Sequence, residues 1–308
     1  MGLVYFAGLF AILWALYVAA TQFYLMMQMK NDPDDEKFAS YGGFAVMTGC
    51  TDGIGKAYCL RMCRKINKFV LIGRNPEKLA IITAEMKKIN PNIVTLHIIA
   101  DFAGHVDYPA LEKKIADLDI GVFMNFVGVS YPLPQLIHKM DVDYPNLSWD
   151  HINVNLVSAT QLSRLIISKM IERKSGLIVY VSSGSSTQPT PFQSSYAAGK
   201  KLLDQLAINM SYEYAGTGVD FQSIKPYYVA TKLTQNKLQH NYSYTTMIPS
   251  AEEYTKQALG TIGRFVTTHG YDKAPHAMQS WLSNFLPEKA IGWFVRRKML
   301  KQRASKEK

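Results

Sequence analysis

Tyr196 and Lys200 are two residues whose types and spacing suggest chemistry. They are four positions apart, so on a helix they share one face. A phenol is a poor proton donor or acceptor at neutral pH, with an ordinary pKa of about 10, and a neighbouring ammonium lowers that pKa. The pair predicts a tyrosine that exchanges a proton with a substrate.

Ser183 and Asn155 extend this pair. Ser183 lies at the end of an apolar run, thirteen residues before Tyr196, and open α/β sheets place their active sites at strand ends. Asn155 falls inside an amphipathic helical segment, where its side chain could face the same crevice. A Tyr-x-x-x-Lys spacing is common by chance, and the serine makes it more specific.

A glycine-rich segment, residues 48–55 with the sequence TGCTDGIG, lies between a predicted strand and a predicted helix. Glycine permits a tight turn and close approach of the backbone to a pyrophosphate, which then lies at the helix N-terminus. The spacing differs from G-x-G-x-x-G, and a glycine cluster by itself is a weak signal. Its position between strand and helix favours a dinucleotide site.

Arg74 follows the next strand, where an NAD site would have Asp or Glu for the ribose 2′-hydroxyl. A guanidinium is suited to a 2′-phosphate instead, and Lys56 adds a second positive charge. Arg74 could also be an ordinary surface arginine. The pattern favours NADPH as the cofactor.

Apolar strand-like runs alternate with amphipathic helical runs from residue 43 onward. This order predicts right-handed βαβ units and an α/β fold with a doubly wound, Rossmann-like parallel sheet in a single domain. After Pro226 the alternation ends, and 227–250 is predicted as a long polar loop. The predicted strands are 44–48, 69–72, 94–100, 121–126, 177–181 and 219–224, and the helices are 55–66, 77–89, 107–116, 149–173 and 195–214.

Residues 2–29 contain no charged side chain. As a helix they would be about 42 Å long, more than the roughly 30 Å of a bilayer core. A cleaved signal peptide would have a basic start and a shorter apolar stretch, and a buried helix would show a polar face. We therefore predict a transmembrane anchor over 1–29, a linker over 30–42, a catalytic domain over 43–270 and a C-terminal extension over 271–308.

Composition supports a globular protein, with 48% apolar and 19% charged residues and a net charge of +10. Residues 296–308 carry seven basic side chains and one acid, so the rest of the chain lacks the excess that a nucleic-acid binder needs. This tail is either a solvated, frayed end or a contact for anionic lipid. The aromatic residues of 281–294 either lie at a membrane surface or cover the substrate cleft. Cys50, Cys59 and Cys63 are too few for a metal site and are predicted as buried thiols.

In combination, these motifs resemble the short-chain dehydrogenase/reductase family. Residues 182–185, 226–233 and the N-terminal segment resemble the very-long-chain 3-oxoacyl-CoA reductase and 17β-hydroxysteroid dehydrogenase type 12 group. The order of motifs that carries the resemblance is Thr48-Gly49-x-x-x-Gly53-Ile54-Gly55, Asp101, Asn155, Ser183 and Tyr196-x-x-x-Lys200.

The resemblance implies a role for each matched residue. Tyr196 donates the proton, Lys200 lowers its pKa and holds the nicotinamide ribose, and Ser183 orients the carbonyl. Asn155 positions a water in a proton relay, Asp101 meets the adenine, and Thr231 meets the carboxamide. The remaining cofactor residues are Thr48, Gly49, Thr51, Asp52, Gly53, Ile54, Gly55, Arg74 and Asn125.

The chain departs from the family pattern at Phe126, where a second asparagine is usual after Asn125. The lost amide leaves a catalytically silent scaffold as the rival interpretation. Tyr227 also replaces a usual glycine.

The resemblance further implies reduction of a ketone on a lipid substrate, either a long-chain 3-oxoacyl-CoA or a 17-ketosteroid. It places the protein in the endoplasmic reticulum membrane, with a homodimer or elongation-complex partners. Lys30 and Lys37 follow the apolar run and favour a cytosolic domain. A lumenal domain would expose sequons at Asn146, Asn209 and Asn241.

Overall fold

The computed structural model describes residues 2–29, 35–235, 248–271 and 286–304. These residues form a parallel sheet of seven strands. The strands are β1 (Phe44–Thr48), β2 (Lys68–Gly73), β3 (Val94–Ile99), β4 (Ile120–Asn125), β5 (Gly176–Val181), β6 (Val219–Ile224) and β7 (Thr267–Thr268). Their order in the sheet is β3-β2-β1-β4-β5-β6-β7, which confirms the predicted parallel α/β sheet.

Helices connect the strands and cover both faces of the sheet. They are α1 (Gly2–Met29), α2 (Asp35–Ser40), α3 (Gly53–Met62), α4 (Pro76–Ile89), α5 (Tyr108–Ile115), α6 (Met140–Asp143), α7 (Leu147–Ile152), α8 (Ser158–Glu172), α9 (Ser194–Glu213), α10 (Lys232–Gln235), α11 (Ala251–Leu259) and α12 (Glu288–Ala304). A π-helical segment (Asn153–Val157) joins α7 to α8, and a 3₁₀ turn (Gly184–Ser186) follows β5.

Alternate side chains of the inner strands enter two separate cores. Ala45 and Met47 of β1 pack with α3, α4 and α11 on one face, while Val46 packs with α5, α8 and α9 on the other. This period of two is the reason that the inner strands are apolar throughout.

The strand order reverses between β1 and β4, so the chain leaves these neighbouring strands toward opposite faces. A crevice therefore opens beyond their carboxyl ends, which is the ligand site of open α/β sheets. The glycine-rich segment follows β1, and the segment beginning at Phe126 follows β4.

Three predicted elements differ from the structure. The predicted single helix over 149–173 is interrupted by the π-helical segment, and no glycine or proline marks the inserted turn in the sequence. The alternation does not end at Pro226, since α11 is followed by the parallel strand β7. This strand has only two residues, too few to form an apolar run in the sequence. The basic tail, for which a frayed end is one of the two interpretations, is helical through Ala304, and Ile291, Val295 and Met299 of this helix form a buried stripe.

The N-terminal segment is helical, as α1. Within the described ranges, no helix is identified as long and apolar enough to cross a membrane, so the anchor stays a prediction. The predicted linker over 30–42 includes α2 and buries Phe38 and Tyr41 in the core.

Candidate active site

Glycine lets the turn between β1 and α3 bring several backbone segments into contact. Gly49 and Gly53 have φ angles of +59° and +53°, which other residues rarely adopt. A Cβ at Gly49 would lie 2.5 Å from the carbonyl carbon of Phe126, and one at Gly55 would lie 2.2 Å from the Gly49 oxygen. Asp52 caps α3 by accepting a 2.8 Å hydrogen bond from the Gly53 N–H. The turn presents bare backbone at a helix N-terminus, an arrangement that suits a pyrophosphate.

Thr48 and Asn125 meet where β1 and β4 end. The Thr48 hydroxyl donates a 2.8 Å hydrogen bond to Asn125 Oδ1 and accepts one of 3.2 Å from the Val127 N–H. Asn125 Nδ2 is buried and has no hydrogen-bond partner among the described residues. A buried amide donor is normally satisfied, so this one is suited to an acceptor on a ligand. Together with the glycine turn, it fits a nicotinamide dinucleotide.

Phe126 fills its position by packing rather than by hydrogen bonding. Its ring lies 4.6 Å from the ring of Tyr58, centroid to centroid, and it contacts the core that contains α3. The end of β4 is still tied to β1 through Thr48, so the lost amide leaves this junction bonded.

The basic residues predicted near a 2′-phosphate have different surroundings. Arg74 is exposed directly after β2, whereas Lys56 forms a 2.8 Å ion pair with Glu85. A cavity of about 160 Å³ beside the glycine turn is lined by residues that include Lys56, Lys78 and Lys232. Arg74 is thus exposed at the strand end, while the charge of Lys56 is already partnered.

The other predicted cofactor residues lie around the crevice. Thr51 lines the small cavity, and Ile54 packs against the core. A Cβ at Gly53 would lie 3.1 Å from Thr231 Cγ2, so Thr231 lies against the glycine turn. Asp101 is exposed beyond the end of β3, two strands away from β1.

Asp52 and Lys232 link the glycine turn to α10. Their charged atoms are 2.7 Å apart. Burial alone would raise the pKa of Asp52, but the Lys232 ammonium and the Gly53 N–H hold it below its ordinary value.

The structure brings Ser183, Tyr196 and Lys200 together. Ser183 follows β5, and a hydrogen bond joins its side chain to that of Tyr196. Lys200 Nζ lies 5.6 Å from the centre of the Tyr196 ring and donates a 2.7 Å hydrogen bond to the Val181 carbonyl. Tyr196 and Lys200 both lie on the buried face of α9.

Asn155 completes the group from the π-helical segment. Its amide clamps the backbone of Val129, accepting a 2.9 Å bond from the N–H and donating one of 3.0 Å to the carbonyl. A Cβ placed on Gly128 would lie 3.1 Å from Asn155 Oδ1 and 3.2 Å from Lys200 Nζ. Asn155 and Lys200 therefore converge on one backbone position, as a proton relay behind the lysine would require.

Burial governs the protonation of the tyrosine and the lysine. It raises the pKa of Tyr196, the Ser183 hydrogen bond opposes this, and Tyr228 adds to the rise. Burial also lowers the pKa of Lys200 to about 8, against the attraction of Asp204. The net pKa of Tyr196 is raised, because desolvation of the phenol outweighs the hydrogen bond from Ser183; the lowering by Lys200 stays a prediction.

Sequence reasoning missed Asp204, a buried carboxylate on α9. The Ser223 hydroxyl donates a 2.6 Å hydrogen bond to it, and the Ser186 hydroxyl donates another. Its position four residues after Lys200 was the available signal, since the two share a helix face.

His151 was also missed. Its Nδ1 is 2.6 Å from Ser195 Oγ, which also lies 2.8 Å from the Tyr131 hydroxyl. The His151 ring is 6.3 Å from the ring of Tyr196. This cluster packs against Tyr196 from the side of α7.

Tyr227 and the C-terminal helix flank the site. A Cβ at Gly184 would lie 2.3 Å from Tyr227 Cδ1, and the Tyr227 ring stacks on His269 at 4.9 Å. Lys298 of α12 lies 5.0 Å from the centre of the Tyr228 ring. A groove of about 690 Å³ separates α12 from α9 and is lined by residues that include Trp293, Arg296 and Lys201. The predicted aromatic residues before 286 lie outside the described residues.

The three cysteines are buried, free thiols. Within the described ranges, no group of three or more His, Cys, Asp or Glu side chains is arranged to hold a metal ion.

Comparison with known sequences identifies the family. The profile of the short chain dehydrogenase family matches residues 43–242, which is more than half of the chain. This chain belongs to that family. Membership confirms the resemblance and assigns the chain to oxidoreductases that use a nicotinamide dinucleotide.

The relatives of this chain include proteins named as reductases and proteins named as inactive. The very-long-chain 3-oxoacyl-CoA reductase-B of Danio rerio is 38% identical over 269 residues, covering 86% of this chain and 83% of its own. The inactive hydroxysteroid dehydrogenase-like protein 1 of Homo sapiens is 37% identical over 258 residues, covering 82% and 75%. Similarity alone therefore does not separate an active enzyme from a silent one.

Solved structures share the fold. A 7β-hydroxysteroid dehydrogenase aligns with a TM-score of 0.71 at 22% identity, over 83% of this chain and 97% of its own. A short-chain dehydrogenase from Sphingobium yanoikuyae, solved with NADPH, aligns with a TM-score of 0.63 at 20% identity, over 73% and 86%.

Proposed function

We propose that this protein is an NADPH-dependent reductase acting on a ketone of a lipid substrate. The observation that carries the proposal is the convergence of Ser183, Tyr196, Lys200 and Asn155 beside the glycine turn. A catalytic residue set and a dinucleotide-binding turn then share one crevice.

Each residue of this set has a defined task. Tyr196, kept protonated by its raised pKa, donates its hydroxyl proton to the carbonyl oxygen of the substrate. Ser183 hydrogen-bonds the same oxygen and stabilises the charge that develops on it. Lys200, beside the tyrosine ring, stabilises the phenolate that remains after proton transfer. Asn155 positions a water in the relay through which Tyr196 regains its proton. The bound dinucleotide supplies the hydride.

Arg74 supports NADPH rather than NADH. It is exposed at the end of β2, and residues 72–75 contain no carboxylate that could accept a hydrogen bond from the ribose 2′-hydroxyl. Its guanidinium would pair with the 2′-phosphate.

The substrate is proposed to be a long-chain 3-oxoacyl-CoA, with a 17-ketosteroid as the other candidate. The names of reductase relatives from Danio rerio and Anas platyrhynchos support the thioester. The groove between α9 and α12 has Lys201 and Arg296 in its lining. These cations suit the phosphates of a coenzyme A thioester better than an uncharged steroid.

The test is NADPH oxidation by purified full-length protein, with a long-chain 3-oxoacyl-CoA and a 17-ketosteroid compared. Tyr196→Phe keeps the ring but removes the proton donor, so turnover should fall at least 100-fold, within the usual contribution of general acids. Tyr212→Phe is the matched control, because Tyr212 is exposed on the same helix. Equal rates for wild type and Tyr196→Phe would reject the assigned role.

A catalytically silent protein that keeps the fold is the second candidate. The relatives named inactive and the replacement of an expected amide by Phe126 favour it. Tight NADPH binding without oxidation of NADPH by any substrate of the panel would support it. Turnover that depends on Tyr196 would exclude it.

Localisation is proposed at the endoplasmic reticulum membrane, with residues 1–29 as a single-pass anchor and the catalytic domain in the cytosol. The uncharged run and the basic tail support this placement. Asn146 and Asn209 are both exposed, so a lumenal domain would be glycosylated in cells. A glycosidase-sensitive mobility shift that disappears in Asn146→Gln/Asn209→Gln/Asn241→Gln would overturn the cytosolic placement.

Partners are proposed from the family resemblance: a second copy of the chain, or other enzymes of fatty acid elongation. Light scattering on detergent-solubilised protein would test the homodimer. Co-purification from microsomes with the enzyme that condenses acyl chains would test the complex.

A further inference from the structure

Asp204 is a buried carboxylate to which the proposed reaction assigns no task. It is 3% exposed and lies on the face of α9 that carries Tyr196 and Lys200, at positions i, i+4 and i+8. A buried carboxylate is rare unless it is paired and hydrogen-bonded. Its partners therefore indicate what it does.

The first group of partners holds the turn that carries Ser183. The Ser186 hydroxyl donates to the Asp204 carboxylate and also lies 2.7 Å from the Ser183 carbonyl oxygen. The Ser223 hydroxyl on β6 donates a 2.6 Å bond to the other carboxylate oxygen. Asp204 thus joins the 3₁₀ turn after β5, the end of β6 and α9 at one point.

The charge of Asp204 also acts on two lysines through electrostatics rather than through an ion pair. The carboxylate of Asp204 raises the pKa of Lys200 and of Lys225, in both cases against a larger lowering by burial. Lys201 acts on Lys225 in the opposite direction, and Tyr196 is the titratable group beside Lys200 on the same helix face. Asp204 is therefore the carboxylate whose charge favours the protonated form of both lysines.

We propose that Asp204 is a positioning residue of the active site, which fixes the turn bearing Ser183 and supplies the counter-charge of Lys200. The contribution of Asp204 to catalysis rests on the proposed function. Its effect on Lys200 does not, so the two can be tested separately.

Asp204→Asn keeps the size and hydrogen-bonding capacity of the side chain but removes its charge. Lys200 has a folded-state pKa of about 8, below its ordinary value of 10.5. Between these two pKa values the unfolded chain binds more protons than the folded protein, so the contribution of Lys200 to stability increases with pH in this range. Asp204→Asn should lower the folded pKa further. The loss of thermal stability should then be several degrees larger at pH 6.5 than at pH 9.5, where Lys200 is neutral in both proteins.

Ser223→Ala is the matched control. It removes one hydrogen bond to the carboxylate without changing its charge, so its loss of Tm should be the same at both pH values. Double variants distinguish Lys225 from Lys200, with each double variant compared with its own single lysine variant. The pH-dependent loss of Tm caused by Asp204→Asn should persist in the Lys225→Met background and largely vanish in the Lys200→Met background. Equal losses at both pH values, or persistence without Lys200, would overturn the counter-charge role.

Turnover gives an independent readout. The alkaline limb of kcat/KM should move about one pH unit lower in Asp204→Asn, the usual size of an opposite-charge effect, and stay in place in Ser223→Ala. If Asp204→Asn does not fold, Lys200→Met should reduce the rise in Tm between pH 6.5 and 9.5 and leave the part that belongs to Lys225, and an unchanged rise would contradict the proposal. An absence of turnover in wild type would reject the proposed function and leave the Tm result to decide the role of Asp204.

Discussion

At the scale of single residues, desolvation decides the protonation of Tyr196. Burial raises the pKa of this phenol more than the Ser183 hydrogen bond lowers it. The neutral phenol is therefore the resting form near neutral pH, which is the form that a carbonyl reduction needs.

Arg74 is predicted to choose the cofactor. Arg74→Asp replaces a guanidinium, which attracts the 2′-phosphate of NADPH, with a carboxylate. The carboxylate repels that phosphate and can accept a hydrogen bond from the ribose 2′-hydroxyl of NADH. We expect kcat/KM for NADPH to fall at least tenfold and the preference to reverse toward NADH. Lys88→Asp, exposed at the far end of α4, makes the same change of charge and should leave the preference intact. A wild type that already prefers NADH would show the assignment to be wrong.

Gly184 is predicted to be required because of Tyr227. Gly184→Ala would place a Cβ 2.3 Å from Cδ1 of the Tyr227 ring, which is held by its stack on His269. We expect a loss of about 1–3 kcal/mol in the free energy of unfolding, typical of overpacking, and a loss of activity because Ser183 is adjacent. The double variant Gly184→Ala/Tyr227→Ala should recover much of both. No recovery in the double variant would exclude this steric explanation.

At the scale of elements, the π-helical segment between α7 and α8 positions Asn155. π-Helical turns insert one residue into a helix and often occur at functional sites. Here the inserted turn coincides with an amide that clamps Val129, in the segment that follows β4. A regular helix would present the side chains on either side of the turn with a different phase.

Asn155→Ala is predicted to weaken both this junction and catalysis. The Val129 N–H and carbonyl would lose their partners, at about 1–3 kcal/mol for a buried group left unpaired. We expect a lower denaturant midpoint and a fall in kcat larger than the change in KM. Asn153→Ala, at a half-buried position of the same segment, controls for the change in helix propensity. Equal effects of the two variants would contradict the role of the clamp.

At the scale of the whole molecule, the strand order brings two halves of the site to one edge. The glycine turn follows β1, and the segment packed on it follows β4, the strand at which the order reverses. Ser183 follows β5, next to β4 in the sheet, and α9 places Tyr196 beside it. Residues separated by more than a hundred positions therefore converge because parallel strands end at the same edge.

Membrane attachment is predicted to depend on the apolar surface of α1. Leu9→Arg/Leu13→Arg places two charges on exposed positions of this helix, and each arginine near the centre of a span costs about 2.5–3.5 kcal/mol. We expect the protein to move from the carbonate-resistant membrane pellet to the supernatant. Leu9→Ile/Leu13→Ile controls for the loss of leucine. An arginine variant that stays in the pellet would direct attention to α12, where Trp293 and Phe294 are exposed.

Local pattern in the sequence determined the sheet class, the glycine turn and the identity of Ser183, Tyr196 and Lys200 as candidates. These depend on spacings of two, three or four residues, which secondary structure converts directly into shared faces and strand ends. The strands β1 and β6 match their predicted bounds for this reason. The short strand β7 and the π-helical segment were beyond such patterns, since β7 has only two residues and no glycine or proline marks the inserted turn.

Only the tertiary structure decided the electrostatics of the site. Whether Tyr196 is acidic or Lys200 charged depends on burial and on Asp204, and burial arises from packing between elements that are distant in sequence. Tertiary contact likewise showed that Phe126 packs on Tyr58 and that Tyr227 packs over Gly184. Residue types can be read from a chain one at a time, but a pKa belongs to an environment that exists only after folding.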